Sequence, residues 1–209
     1  MQARLTSLGW PASMQRVVRY FVIRPRARPH MRELQRVLVV SSASVQRDLS
    51  ALMAMGALTR RPDGRLVRYA VDERSSLWGA LRTIVGALSD PVAIVREALA
   101  DVEGIDFACV FGSFAAGTAR QHSDVDVLII GDAVDARTMH HQLAETALVL
   151  GREVNPVLYT RHALGERLAS GARFPRNVLE GAMVSVAGDI GTAAPIAAAA
   201  GIRMRERVA

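Results

Sequence analysis

In the first third of the chain, apolar positions recur at helical spacing. Within residues 14–23 (MQRVVRYFVI) they fall at 14, 17, 18, 21 and 22, one face of a helix. Pro25 and Pro29 then punctuate a loop. Residues 31–39 predict a second, shorter helix with Leu34, Val37 and Leu38 inward. Ser41-Ser42 is a turn and a candidate N-cap. Residues 44–55 predict a third helix, with Val45, Leu49, Leu52 and Met53 on one face and Gly56 as its stop. Two strand-like runs in residues 57–71 flank Pro62-Asp63-Gly64, a hairpin signal. Residues 76–88 (SLWGALRTIVGAL) read as an amphipathic helix that connects two modules or pairs with another chain.

Beyond residue 90 the pattern alternates between helical and strand spacing. A helix over 91–100 leads to a short apolar strand at 106–111, then a glycine-bounded turn and short helix through Gly117. A second apolar strand (123–130) follows, then a helix (135–150) with Met139, Leu143, Ala147 and Leu150 in step, then a third strand (153–159). Strands alternating with helices predict an α/β (α+β) unit around a small mixed sheet. The expected organisation is residues 1–74, a connecting helix over 75–90, a second domain over 91–190 and a mobile alanine-rich tail over 191–209.

Charge separates the same two parts. All 26 basic residues are arginine, and residues 1–74 hold 14 of them against five acids, while the remainder holds 12 against 15 acids. A basic module joined to a mildly acidic one suggests a nucleic-acid partner for the first. The single cysteine, Cys109, excludes an intrachain disulfide or a cysteine-based zinc site, and its place in an apolar strand makes it a core residue. No run approaches membrane-spanning length and no signal pattern opens the chain, so a cytoplasmic protein with no membrane partner is expected.

Helix, helix, turn, helix, hairpin is the element order of a winged helix-turn-helix. The third helix would offer Ser44, Gln46 and Arg47 to base edges or phosphates, and the hairpin would offer Arg60, Arg61, Arg65 and Arg68 to the backbone of double-stranded DNA. The run S-x-x-S-V-Q-R-D-L-x-x-L-x-x-x-G-x-L from Ser41 resembles the ArsR-like winged-helix family. That resemblance covers the first third of the chain and implies a homodimer. The metal-sensing cysteines of some of those regulators are absent.

The second unit carries the candidate chemistry. Asp124 and Asp126 are two apart on a strand and so share a face, with Val125 and Val127 turned to the core. Adjacent carboxylates repel unless a cation separates them, and Mg²⁺ (or Mn²⁺) binds through carboxylates plus substrate phosphates. Gly112-Ser113 at a helix start supplies backbone N–H groups for phosphates, Gly117 permits the exit turn, and Arg120 and Ser123 lie within reach in sequence. This combination predicts a nucleoside triphosphate site with in-line attack on the α-phosphate, two divalent metals clamping the attacking and leaving oxygens. His122 borders it; His140-His141 and the arginines of 161–176 read as solvated helix faces, with Arg173 or Arg176 able to line a cleft.

The blocks G-S-x-x-x-G and S-D-x-D, five residues apart at 112–117 and 123–126, resemble the polymerase-β-like nucleotidyltransferase family, most closely its minimal bacterial members. The resemblance spans about residues 90–190. It implies triphosphate binding by Gly112 and Ser113 and metal ligation by Asp124 and Asp126. The third carboxylate usual in that family falls at Asn155, and Glu153, two residues earlier, is the candidate replacement. Two functions are therefore expected: a DNA-binding nucleotidyltransferase acting on an unknown acceptor, or a winged-helix regulator whose second domain senses nucleotide or serves as an inactive scaffold.

Overall fold

The computed structural model describes residues 9–120 and 123–204 as a mixed α+β fold with two small sheets. The chain divides between Asp90 and Pro91 into two compact units.

The first unit contains α1 (Ala12–Ile23), α2 (Met31–Leu38), α3 (Ser42–Ala54), β1 (Leu58–Asp63), β2 (Leu66–Val71) and α4 (Ser76–Leu88). Its core joins Val17, Val18 and Phe21 of α1 to Leu34 of α2 and to Val45, Leu49 and Leu52 of α3, all nearly or fully buried. Ser41 caps α3 by accepting from the Ser44 backbone N–H, which starts the helix at Ser42, two residues before its expected start. Val37 was expected inward but is 50% exposed, since the eight residues of α2 are anchored chiefly through Leu34. Val39 ends α2 in the left-handed conformation, the only non-glycine residue with positive φ among the described residues. Asp48 on α3 is buried beside Val45 and Leu49, the one charged side chain so placed among the described residues.

The hairpin closes one step later than the sequence suggests. Asp63 pairs with Leu66, leaving Gly64-Arg65 as a two-residue turn, with Pro62 inside β1. Gly64 has a φ of 60°, which the first position of a tight hairpin turn demands and a side chain would oppose. The helix expected as a connector, α4, packs on α1 as part of the first unit.

The second unit is built on one four-stranded sheet. Its elements are α5 (Pro91–Leu99), β3 (Phe107–Phe111), α6 (Ser113–Ala116), β4 (Val125–Ile130), α7 (Ala136–Leu150), β5 (Val154–Tyr159), α8 (Arg161–Ala169), α9 (Arg173–Glu180), β6 (Met183–Gly188) and α10 (Ile190–Ala199). The strand order is β5-β4-β3-β6. Only β4 and β5 run parallel, joined through α7, and β3 is antiparallel to both its neighbours. Pro156 is accommodated because β5 is an edge strand.

Both sheet faces are covered. One face sets Ala108, Val110, Val125, Val127 and Ile129 against Val95 and Leu99 of α5 and Met139 and Leu143 of α7. The other sets Phe107, Cys109, Leu128 and Ile130 against Leu164 and Leu168 of α8, Leu179 of α9 and Ala193 and Ala197 of α10. The expected tail from residue 191 is therefore, as far as Ile202, a helix and turn packed on this face; Ala193 and Ala197 are fully buried. Small side chains let α10 approach the sheet closely, and Asp189 caps it by accepting from the Gly191 N–H. Residues 205–209 lie outside the described residues. Arg161, at the start of α8, bonds Asp132 and pairs with Asp106, fastening α8 to the chain on either side of the sheet's central strands. It holds the Asp132 carboxyl below the usual aspartate range through hydrogen bonds from its backbone and side chain. Among the described residues no single helix is long and apolar enough to cross a membrane.

Candidate functional site

The site forms where β3 ends and β4 begins. Strand partners share a face, so the registers Phe111–Asp126 and Asp126–Asn155 place Asn155, Asp126 and Phe111 in one row across three strands. Asp126 is half-buried on the same face as Leu128 and Ile130, whereas Val125 and Val127 point to the opposite side and are fully buried. Asp124 lies one residue ahead of β4 and is exposed.

Gly112 turns the chain from β3 into α6 with a φ of 70°. A Cβ on Gly112 would stand 2.9 Å from Oδ2 of Asp126, with no other atom but Asp126 Cγ in the vicinity. The absent side chain thus opens the Asp126 carboxylate to the start of α6. Ser113 and Phe114 form the first turn of α6, where backbone N–H groups have no intrahelical acceptor. Gly117 ends α6 in the left-handed conformation, and the Thr118 N–H bonds the Ser113 carbonyl.

Asp126 titrates above the usual aspartate range. Burial raises its pKa most, a side-chain hydrogen bond from Asn155 opposes the rise, and the charge of Asp124 adds to it. The two carboxylates therefore feel each other, and burial makes their joint ionisation costly without a cation. Two carboxylates and an amide beside a glycine turn suit Mg²⁺, which takes few protein oxygens and leaves positions for water and phosphate. Among the described residues, no three His, Cys, Asp or Glu side chains gather as a metal-binding group, so Glu153 does not complete a triad with Asp124 and Asp126. Its side chain is exposed ahead of β5, and its carbonyl accepts from the Val125 N–H. Asn155, one step inside the strand, is the side chain that reaches Asp126.

The loop into β4 has contacts of its own. Ser123 accepts at its hydroxyl from the Arg120 N–H, and its carbonyl accepts from Arg152, so it shapes the loop into β4. Arg152 also lies over the ring of Phe114, tying α6 to the start of β5, a contact that sequence spacing gave no means to find. The Arg120 side chain is exposed, and His122 lies outside the described residues. Arg176 bonds Glu180 and the Ala200 carbonyl, a structural role, while Arg173 is exposed.

With this geometry in place, comparison with known proteins gives one family. Residues 94–164 match the family described as "Polymerase beta, Nucleotidyltransferase". The matching stretch runs from α5 into the first turn of α8 and contains β3, β4 and β5 with Gly112, Asp124, Asp126 and Asn155. The second unit thus carries a nucleotidyltransferase-like domain. No curated protein matches the chain. Among solved structures, a chain of one described as "Crystal structure of the toxin-antitoxin with AMP-PNP" aligns at 18% identity and a TM-score of 0.40, covering 54% of this chain and 84% of that chain.

In the first unit the expected DNA-facing residues divide. Gln46, Arg47, Arg60, Arg61 and Arg65 are exposed. Ser44 is half-buried and joined to Ser41 in the cap of α3. Arg68 is committed to Asp63 and to the Arg28 carbonyl, holding the hairpin to the loop before α2.

Proposed function

We propose that this protein is a DNA-binding nucleotidyltransferase. Its second unit takes a nucleoside triphosphate with a divalent cation and passes the nucleoside monophosphate to a hydroxyl acceptor. Its first unit, as a winged helix-turn-helix, places the protein on double-stranded DNA. The observation that carries the reading is the side-chain-free turn at Gly112 facing Asp126, with Asp124 beside it.

Asp124 and Asp126 would hold Mg²⁺ or Mn²⁺. A bound cation of this kind neutralises triphosphate charge and polarises the α-phosphate. The Gly112 turn and the first amides of α6 orient the phosphates, and Gly117 fixes the length of that cradle. Asn155 donates to Asp126 and holds its carboxylate in place, but an amide cannot take the acceptor hydroxyl's proton. That proton passes to Asp124, to Asp126 or to solvent. In the first unit, Gln46 and Arg47 would meet base edges or phosphates, and Arg60, Arg61 and Arg65 would meet phosphates.

Asn155 also favours a second reading, in which the domain binds the metal–nucleotide complex and does not turn it over, so that nucleotide regulates DNA binding. Incubation with α-labelled NTPs and Mg²⁺ separates the two. Label transfer or pyrophosphate release that disappears in Asp124→Ala/Asp126→Ala supports the transferase. Metal-dependent binding without turnover supports the sensor.

A further inference from the structure

Phe174 is the only exposed Phe, Tyr or Trp side chain among the described residues, at 43%. It lies in the first turn of α9 and meets Phe111 with ring centroids 5.9 Å apart at 75°. Phe111 is the last residue of β3, adjoins Gly112 and is the strand partner of Asp126. Neighbouring apolar residues of α9, Pro175, Val178 and Leu179, are buried in the unit's core. Phe174 is instead left half in solvent at the end of the row that carries Asp126.

An exposed ring costs solubility and gains little from its one aromatic neighbour. A planar ligand with one end held at the Gly112 turn would cover it. We propose that Phe174, braced by Phe111, is the platform on which the base of the bound nucleotide stacks, and that the site favours purines, whose two rings cover more of it. This deepens the proposed function and rests on it. The platform lies on α9, beyond the residues that match the family, so base recognition comes from this chain's own C-terminal elements rather than from the matched motif. Stacking on an aromatic tolerates either purine, so the platform sets the class of base and not its identity.

The test uses the full chain with Mg²⁺ and three probes: a non-hydrolysable purine nucleoside triphosphate, its pyrimidine counterpart, and inorganic tripolyphosphate. Wild type is expected to bind the purine nucleotide most tightly. Phe174→Leu keeps an apolar contact to Phe111 and removes the aromatic face. It is expected to lose purine-nucleotide affinity by about 10-fold, with tripolyphosphate affinity unchanged. Phe174→Trp is expected to retain affinity and to show fluorescence quenching on nucleotide addition; the chain's two tryptophans, Trp10 and Trp78, are both in the first unit. If Phe174→Leu binds purine nucleotide as wild type does, or if wild type binds tripolyphosphate as tightly as nucleotide, the platform is wrong while the triphosphate site stands. If wild type binds none of the three, the proposed function fails and the platform with it.

Discussion

The two faces of the four-stranded sheet carry different information. On the face under α5 and α7, apolar residues run to the ends of the strands: Val125, Val127 and Ile129 of β4 are all fully buried. On the face under α8, α9 and α10, the same strand begins with Asp126 and becomes fully apolar only at Leu128 and Ile130. One face closes a core. The other closes a core over most of its length and leaves two polar side chains, Asn155 and Asp126, in a row with Phe111 at one end. The difference shows where folding stops dictating the residue. A half-buried carboxylate whose charged form is disfavoured adds little to packing, which is what marks Asp126 as a candidate for ligand binding.

Changes on the two faces should therefore have different consequences. The largest loss of stability belongs to the closed face. Ile129→Ala is expected to destabilise the second unit by about 2–5 kcal/mol in denaturant titration, whereas Asp126→Ala leaves the midpoint near wild type. Equal losses for the two variants would break the distinction between the faces.

Gly112→Ala sits between them. Its left-handed backbone and the approach of Asp126 oppose a Cβ, at an expected cost of about 1–2 kcal/mol. Nucleotide affinity is expected to fall as the carboxylate is displaced, measured by calorimetry beside the melting curve. Unchanged affinity would separate Gly112 from the site.

Asn155→Asp sharpens the polar row by adding the third carboxylate. Divalent-ion affinity is expected to rise by about 10-fold, and any label transfer to rise with it. No change in either would show that the third position is not part of the metal site.

The smallest effect is a pH dependence in chelator. Because the folded state raises the Asp126 pKa, the proton on Asp126 favours folding. Its contribution is complete below the ordinary aspartate pKa and is lost as pH rises through the raised folded value. Asp126→Asn removes this loss, so its melting temperature is expected to match wild type near about pH 3 and to lie above it at neutral pH. A gap that is constant with pH would contradict the assigned shift.

The same contrast explains what the sequence made legible. Strands β3 and β4 were visible because long apolar runs have few other homes, and the paired aspartates stood out by interrupting one of them. The Gly-Ser turn was visible because its spacing to those aspartates is fixed. The helix α10 read as a tail, because alanines carry almost no periodic signal and its burial depends on a sheet face that only the fold assembles. Glu153 and Asn155 could not be ranked from alternation alone, since both positions share a face; the β4–β5 register ranks them by pairing Asn155 with Asp126. Phe174 was invisible for a related reason, because its meaning depends on Phe111, 63 positions away in the chain. In the first unit, counting arginines did not distinguish Arg68, spent on Asp63 and the Arg28 carbonyl, from the exposed Arg60, Arg61 and Arg65.

The most direct test of the polar row is calorimetric titration of the full chain with a non-hydrolysable nucleoside triphosphate, with Mg²⁺ and in chelator, using wild type and Asp124→Ala/Asp126→Ala. Saturable binding by wild type that requires Mg²⁺ and is lost in the double variant is the expected result. Binding that persists in chelator or survives loss of both carboxylates, or no binding by correctly folded wild type, would contradict it.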